Sequence, residues 1–320
     1  MIVRLRYRDD GRELDADDAW LLDSLRRLYP ATSEPAEWML ELHQGSGTPA
    51  ADGAVVRLPM KFYRPLPAGV PENFDEHAQK KLLYHALSGE YMTAIAGDTE
   101  AEVRFLLHVA GKTPRNVLDL CCGVGRHAAG LAAHGCHVTG VDASAEQIAT
   151  ARALHPSPRL RFLQMDVRRL ALPQRAFDLA ICMWTTYNYF SVERDLRAFL
   201  GAVARHQPAG ALFVLDAKNL PALPPRRIYH RTRRHGTEEL ELLVHKRVMA
   251  GIQNSQYFYF FGGSRHAFCF DEEFVRFYDP GTLSALAGDW YELAATYGDF
   301  DASAYEPAHS RRFLAVLRRK

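Results

Sequence analysis

Residues 117–126, Val117-Leu-Asp-Leu-Cys-Cys-Gly-Val-Gly-Arg126, combine a short apolar strand with a glycine-containing turn that opens a helix. Asp119 lies near the end of the predicted strand, and Gly123 and Gly125 lie in the turn. Glycine lets a ligand approach the backbone closely, and a helix N-terminus offers free N–H groups. Ligands of open parallel sheets bind at the carboxyl ends of strands. The segment therefore predicts a ligand-binding loop.

An alternation of strands and helices surrounds this loop. Strands are predicted at residues 117–120, 137–141, 160–163, 178–183 and 211–215, and helices at 123–133, 145–153 and 195–205. Such alternation indicates a parallel sheet with right-handed crossovers. After residue 216 the pattern changes. Antiparallel strands are expected at 239–249, 253–261 and 266–278, followed by a helix at 282–286 and closing strands at 292–297 and 313–317.

Three acidic residues end three successive predicted strands: Asp119, Asp142 and Asp166. Asp142 lies 19 positions beyond Gly123, the distance at which such folds place a carboxylate on ribose hydroxyls. The turn also matches a dinucleotide fingerprint, but Asp119 would repel a pyrophosphate. S-adenosylmethionine carries an ammonium and a sulfonium and no phosphate. It fits best, with Asp119 on the amino-acid end, Asp142 on the ribose and Asp166 on the adenine amine. A nicotinamide cofactor, or a non-binding sheet with acidic strand-end caps, remain the alternatives.

The sequence resembles the class I S-adenosylmethionine-dependent methyltransferases, in particular the bacterial small-molecule group. The resemblance is carried by residues 117–152, 177–183 with 208–216, and 297–301 with 310–320, and covers about residues 80–320. It implies an α/β fold: a Rossmann-like, mostly parallel seven-stranded sheet whose last strand is antiparallel, with helices on both faces. An antiparallel β insertion and an N-terminal appendage are expected in addition.

The resemblance also implies which residues line the cofactor pocket. Cys121 stands where the family has its first glycine, so a positive φ there would strain the turn. Tyr91 is expected on a helix that covers the cofactor. The cofactor-binding residues expected in full are Tyr91, Asp119, Cys121, Gly123, Gly125, Arg126, Asp142, Ala143, Asp166, Val167 and Met183.

The acceptor is expected beside the segment that follows the fourth strand, Met183–Phe190. Methyl transfer needs mainly alignment and desolvation, so a catalytic base is optional. Catalytic candidates are Asn188, Tyr187 and His230, although each also suits a structural role. Candidate acceptor-binding residues are Trp184, Tyr187, Asn188, Tyr229, Tyr257, Tyr259 and Arg265.

We expect two regions: an N-terminal helical and extended appendage over residues 1–80, and a cofactor-binding domain over 81–320 with an acceptor-side insertion at about 217–278. Leucine spacing predicts a helix over 15–29, and a second short helix is expected near 38–42. Further helices are predicted at 74–87 and 100–110. The appendage could be a lid over the acceptor, an arm for homodimerisation or an extra layer at the sheet edge.

Composition narrows the classes of protein. The 320 residues are 48% hydrophobic and 24% charged, with a formal net charge of +1, which is typical of a globular chain without a field that attracts nucleic acid. No apolar run is long enough for a membrane span. Five cysteines without a C-x-x-C pair indicate free thiols in a reducing cytoplasm and no metal site.

The sequence therefore predicts an S-adenosylmethionine-dependent methyltransferase that modifies a nitrogen or oxygen atom of a small molecule, such as a specialised metabolite. One alternative is a non-methylating cyclisation or elimination in the same cofactor pocket. A second alternative is a non-catalytic interaction protein.

Overall fold

The computed structural model describes residues 97–173, 176–223, 226–235, 238–249, 251–261 and 268–320, together with four short N-terminal strands. The chain divides into two compact units. The first contains Met1–Pro71, Arg226–Lys246 and Ser255–Glu272. The second contains Glu72–Pro225, Arg247–Asn254 and Glu273–Lys320. The first unit thus groups the N-terminal segment with most of the insertion.

The elements of regular structure follow in chain order. They are β1 (Ile2–Tyr7), β2 (Glu13–Ala16), β3 (Trp38–His43), β4 (Val56–Pro59), α1 (Thr99–Ala110), β5 (Asn116–Leu120), α2 (Arg126–Ala133), β6 (His137–Asp142), α3 (Ala145–Leu154), β7 (Leu160–Gln164), β8 (Leu179–Cys182), α4 (Glu193–Ala204), β9 (Leu212–Lys218), β10 (Arg226–His235), β11 (Glu238–Met249), β12 (Ile252–Phe261), β13 (Phe268–Arg276), α5 (Pro280–Ala287), β14 (Tyr291–Tyr297) and β15 (Arg312–Arg319). Single 3₁₀ turns occur at Val167–Arg169, Thr186–Tyr189 and Leu220–Ala222.

A seven-stranded sheet in the order β14-β15-β9-β8-β5-β6-β7 forms the centre of the second unit. Strands β5 to β9 pair in parallel with one another in the order β9-β8-β5-β6-β7. Strand β15, the last of the chain, is antiparallel to both β9 and β14. This arrangement confirms the predicted Rossmann-like sheet with an antiparallel last strand.

Strand side chains alternate between two hydrophobic cores, one on each face of this sheet. Leu118 and Leu120 pack with the core that includes Phe199 of α4. Val117 packs with the opposite core, which includes Leu106 of α1. Strands that are buried on both faces read as continuous apolar runs, which is why the sequence predicts them well. The carboxyl ends of β5, β6 and β8 therefore meet at one edge of a rigid, doubly covered sheet.

Four N-terminal strands form a separate sheet in the order β2-β1-β3-β4. The helix predicted near 38–42 is wrong, because Trp38–His43 is a strand that pairs along its whole length with β1. Of the helix predicted over 15–29, residues 15 and 16 belong to β2, and the remainder lies outside the described residues. The helix predicted at 74–87 also lies outside them.

A third sheet, β10-β11-β12-β13, occupies most of the predicted insertion. Residues 236–237 separate β10 from β11, and residues 250–251 separate β11 from β12. Parallel neighbours need a crossover of about a dozen residues or more, so these pairs are antiparallel hairpins. The insertion therefore has the predicted antiparallel character, and it begins with a strand, β10, that the sequence pattern did not reveal.

In the part of the chain that the structure describes, no helix combines the length and apolarity that a membrane crossing requires.

Candidate functional site

The turn between β5 and α2 has three left-handed residues. Cys121, Gly123 and Gly125 have φ values of 57°, 56° and 79°. A Cβ atom on Gly123 would lie 2.7 Å from Oε1 of Gln147, and one on Gly125 would lie 2.6 Å from Cζ of Phe162. The positive φ favours glycine at both positions, and the Phe162 ring also excludes a side chain at Gly125, whereas the end of the flexible Gln147 side chain could move away from one at Gly123. Cys121 has the positive φ that strains a residue with a side chain.

Asp119 is 1% exposed beneath this turn. Its carboxylate accepts a hydrogen bond from the backbone N–H of Ala128, in the first turn of α2. Its Oδ2 atom has no hydrogen-bond partner among the described residues. Burial raises the pKa of Asp119 to about 7, with a smaller lowering by Arg126 and a raising by Asp142. A buried carboxylate with an unused oxygen is costly, and a cationic ligand would relieve that cost.

Asp142 lies at the end of β6 and joins the two loops of the site. Its Oδ2 accepts from the backbone N–H of Gly123 at 2.9 Å, and its Oδ1 accepts from that of Ser144 at 2.9 Å. These bonds fix the carboxylate beside the glycine turn. Ala143, which follows, is exposed. The distance of Asp142 from Gly123 along the sequence therefore corresponds to a contact in space.

Asp166 follows β7 and caps the 3₁₀ turn Val167–Arg169. Its Oδ2 is 2.8 Å from Nη2 of Arg168, and its Oδ1 accepts from the backbone N–H of Arg168 at 2.9 Å. Burial raises the pKa of Asp166, but the hydrogen bonds and charge of Arg168 outweigh burial and lower it overall. Val167 beside it is 5% exposed. Both residues follow β7, which pairs with β6, the strand that carries Asp142.

Arg126, the first residue of α2, is anchored through one nitrogen. Its Nη1 donates to Oγ1 of Thr99 at 2.8 Å and lies 2.5 Å from Oε2 of Glu102. Its guanidinium lies over the Trp184 ring, 4.6 Å from the ring centroid. Its Nη2 is buried and has no hydrogen-bond partner among the described residues. The site thus contains two groups of opposite charge, Asp119 and Arg126, that each have a buried polar atom without a hydrogen-bond partner among the described residues.

The segment that follows β8 is held in an unusual conformation. Trp184 and Thr185 have φ values of 61° and 70°. The backbone N–H of Trp184 donates to Oδ2 of Asp216 at 2.8 Å, and that of Thr185 donates to the Asp216 carbonyl at 2.8 Å. Asp216 is fully buried, and Arg312 binds both of its carboxylate oxygens at 2.5 and 2.7 Å. This ion pair therefore fixes the strained loop in which the acceptor is expected.

The two candidate catalytic residues on this loop differ in their surroundings. Tyr187 is 0% exposed, and its hydroxyl has no hydrogen-bond partner among the described residues. Burial raises the pKa of Tyr187, so its hydroxyl stays protonated. Asn188 is also buried, and its Nδ2 donates to the backbone carbonyl of Arg276. Asn188 therefore ties the loop to the end of β13, whereas the Tyr187 hydroxyl is unused.

The structure brings together most of the expected cofactor residues and part of the expected acceptor residues. Met183 is 3% exposed at the end of β8, directly before Trp184. Tyr91 and Arg265 lie outside the described residues. Strands β10 and β12 contain Tyr229, His230, Tyr257 and Tyr259, but the side chains of these four residues are likewise outside the description.

Sequence reasoning missed Glu102, Asp216 and Arg312. Asp216 had a visible signal, because it is one more acidic residue at the end of a buried parallel strand, β9. Glu102 had none: a glutamate in the first turn of a helix is expected to be solvated. Its burial depends on Arg126, His127 and Trp184, which are distant in sequence.

Comparison with known proteins shows what part of this chain is similar to other proteins. Residues 117–210 match the family model of a methyltransferase domain. The S-adenosyl-L-methionine-dependent Diels-Alderase iccD of Talaromyces variabilis is 32% identical over 111 residues, which are 33% of this chain and 37% of that protein. The putative methyltransferase YqeM of Bacillus subtilis is 33% identical over 98 residues, 30% of this chain and 40% of that protein. The chain thus matches about two fifths of the length of these curated relatives.

A solved structure extends the similarity in fold. The sugar N-methyltransferase KedS8 of a Streptoalloteichus species superimposes with a TM-score of 0.62 at 20% identity, over 72% of this chain and 91% of that one. At this identity the similarity shows a common fold. The glycine turn and the residues that end β5, β6 and β7 all lie within the segment that matches the methyltransferase model.

Proposed function

We propose that this chain transfers a methyl group from S-adenosylmethionine to a nitrogen or oxygen atom of a small molecule, since residues 117–210 match the family model of a methyltransferase domain. The observation that carries the proposal is the pair of unused buried atoms, Oδ2 of Asp119 and Nη2 of Arg126. The amino-acid end of S-adenosylmethionine carries an ammonium and a carboxylate, and it supplies the complementary charge to each.

The cofactor would be held by groups at the carboxyl ends of three strands. Asp119 accepts from the ammonium, and Nη2 of Arg126 donates to the carboxylate. Asp142 accepts the backbone N–H groups of Gly123 and Ser144, which hold its carboxylate beside the glycine turn, where the ribose would be bound. Asp166 and Val167 lie at the next strand end, where the adenine would be bound. A pyrophosphate in this position would face the Asp119 carboxylate, so a dinucleotide is disfavoured.

The bound cofactor supplies a methyl group that its sulfonium already activates. The protein therefore has to align the acceptor and exclude water. In our proposal the loop from Met183 to Phe190 aligns the acceptor and excludes water, because Asp216 and Arg312 fix its strained backbone. The Tyr187 hydroxyl can orient an acceptor by a hydrogen bond, but its raised pKa makes it unsuitable as a base at neutral pH. Asn188 holds the loop in place through the Arg276 carbonyl.

A nitrogen acceptor is supported by the similarity to a sugar N-methyltransferase, and the oxygen acceptor remains part of the proposal.

We also propose a cytoplasmic location. The four cysteines that the structure describes are free thiols, as expected in a reducing compartment. A homodimer through the N-terminal segment remains a prediction.

A second candidate function is a cyclisation that keeps the cofactor bound. The similarity to the Diels-Alderase iccD over 111 residues favours it, because that protein is named for a cycloaddition and for dependence on S-adenosyl-L-methionine. Such a reaction needs the same cofactor contacts and a different acceptor pocket. Asp119, Asp142 and Arg126 are common to both candidates and do not separate them.

Incubation with methyl-labelled S-adenosylmethionine and a panel of amino sugars, amines and phenols tests the proposal. We expect label to appear in an acceptor together with stoichiometric S-adenosylhomocysteine. Asp119→Asn should lower the turnover, whereas Asp289→Asn, a change at an exposed acid, should not. Cofactor binding without label transfer to any acceptor would favour cyclisation. The absence of cofactor binding would leave an interaction protein and overturn both candidates.

A further inference from the structure

Glu102 is a buried acid in the first turn of α1, with 3% of its surface exposed. Its Oε2 lies 2.5 Å from Nη1 of Arg126 and 2.6 Å from Nε2 of His127. Its Oε1 accepts from the indole Nε1–H of Trp184 at 3.0 Å. Three donors, two from the first turn of α2 and one from the segment that follows β8, therefore converge on one carboxylate.

The Glu102 carboxylate stays ionised at neutral and mildly acidic pH. Burial by itself would raise the pKa of Glu102, but the hydrogen bonds and charges of His127 and Arg126 lower it to about 2. Burial lowers the pKa of His127, and its Nε2 lies within hydrogen-bond distance of the Glu102 carboxylate, at 2.6 Å from Oε2. Buried ion pairs add little stability over apolar residues of similar size. A positioning role therefore accounts for this cluster better than a contribution to stability.

The cluster determines the direction of the Arg126 guanidinium. Thr99 and Glu102 both bind Nη1, and the face of the group lies on the Trp184 ring. With one nitrogen and one face fixed, Nη2 is left without a partner among the described residues. Glu102 also binds the indole of that same tryptophan, so it orients the stacking partner as well as the guanidinium.

From this geometry we infer that Glu102 is a positioning residue that aims Nη2 of Arg126 at the carboxylate of the cofactor and links it to Trp184 on the acceptor loop. The inference rests on the proposed function and deepens it, because it assigns recognition of the amino-acid end of the ligand to a residue that does not touch the ligand. Loss of Glu102 should therefore weaken only ligands that possess that carboxylate.

Two probes that differ at this end make the test specific. S-Adenosylhomocysteine has the amino-acid group, and 5′-methylthioadenosine has the same nucleoside without it. We expect Glu102→Gln to weaken the binding of S-adenosylhomocysteine about tenfold, the loss of one oriented charged hydrogen bond, and to leave methylthioadenosine within about twofold. Glu100→Gln, an exposed change on the same helix, is the matched control and should alter neither affinity.

A second comparison separates positioning from general damage. In an Arg126→Ala background, Glu102→Gln should cause no further loss of S-adenosylhomocysteine affinity, because the group that it orients is absent. Should Glu102→Gln fail to fold, Trp184→Phe keeps an aromatic face for the guanidinium and removes the indole donor to Glu102. It should weaken S-adenosylhomocysteine about twofold to threefold, again without affecting methylthioadenosine.

The outcomes distinguish this inference from the proposed function. Equal weakening of both probes, or additive losses in the double variant, would overturn the positioning role and leave the proposed function standing. Failure of the unchanged protein to bind either probe would overturn the proposed function itself. Selective loss for the probe with the carboxylate supports both.

Discussion

Replacement of Asp119 by asparagine should stabilise the ligand-free protein and weaken cofactor binding. A carboxyl whose pKa is raised from 3.8 to about 7 by burial destabilises the folded state by about 4 kcal/mol at a pH well above 7. Asparagine removes this cost but buries an NH₂ group without a partner, which costs about 1–3 kcal/mol. The net gain expected for Asp119→Asn at pH 8 is therefore about 1–3 kcal/mol.

The sign of the pH dependence follows from the direction of the pKa shift. Because the folded-state pKa is raised, the stability associated with protonated Asp119 is full below about pH 4 and is lost as the pH rises through about 7. The advantage of Asp119→Asn over the unchanged protein should thus shrink by about 2–3 kcal/mol between pH 8 and pH 5. Calorimetric unfolding of both proteins at the two pH values measures it.

The same variant should bind S-adenosylhomocysteine about 10- to 100-fold more weakly, because a buried charged hydrogen bond to the ammonium is lost. Titration calorimetry at pH 8 provides the measurement. A stability difference that does not depend on pH, or an unchanged affinity, would refute the reasoning that the buried carboxylate is kept for a cationic ligand.

Two further substitutions test the scaffold of the site by thermal unfolding. Gly125→Ala should lower the free energy of unfolding by about 2–4 kcal/mol, because its φ is 79° and the new Cβ would lie 2.6 Å from Phe162. Gly135→Ala is the matched control: its φ is 93°, but nothing lies within 4 Å of the new Cβ, so the loss should be only about 1–2 kcal/mol. Equal losses of stability for the two alanine variants would contradict this prediction, because they would mean that the turn can widen to accept a side chain at Gly125. Arg312→Ala should destabilise by about 3–5 kcal/mol because it leaves Asp216 charged and buried, and a loss below about 1 kcal/mol would show that this ion pair does not hold the loop.

The sequence predicts the central sheet well because its strands are short apolar runs and its helices alternate with them. The ends of elements are less predictable. The helix expected from residue 123 begins at Arg126, because Gly125 adopts a left-handed conformation and caps it. Strand β3 was predicted as a helix. Its short apolar run is compatible with either structure, and the pairing with β1, more than 30 residues away, decides it.

The residues of the candidate site also differ in how far the sequence predicts them. Asp119, Asp142 and the glycines were predictable, because strand ends and a glycine turn are local signals that the parallel sheet brings to one edge. Glu102 could not be predicted, because a lone glutamate shows nothing of its burial until Arg126 and Trp184 are placed beside it. Local sequence thus identifies the residues that we propose as ligand contacts, whereas the groups that orient them depend on tertiary packing.

A direct calorimetric titration of the unchanged protein with S-adenosylhomocysteine and, separately, with NAD⁺ tests the central claim that the buried Asp119 selects a cationic nucleoside. We expect S-adenosylhomocysteine to bind at one site per chain, with an affinity that Asp119→Asn reduces, and NAD⁺ to produce no binding heat. Tight binding of NAD⁺ that competes with S-adenosylhomocysteine and is insensitive to Asp119→Asn would contradict the account.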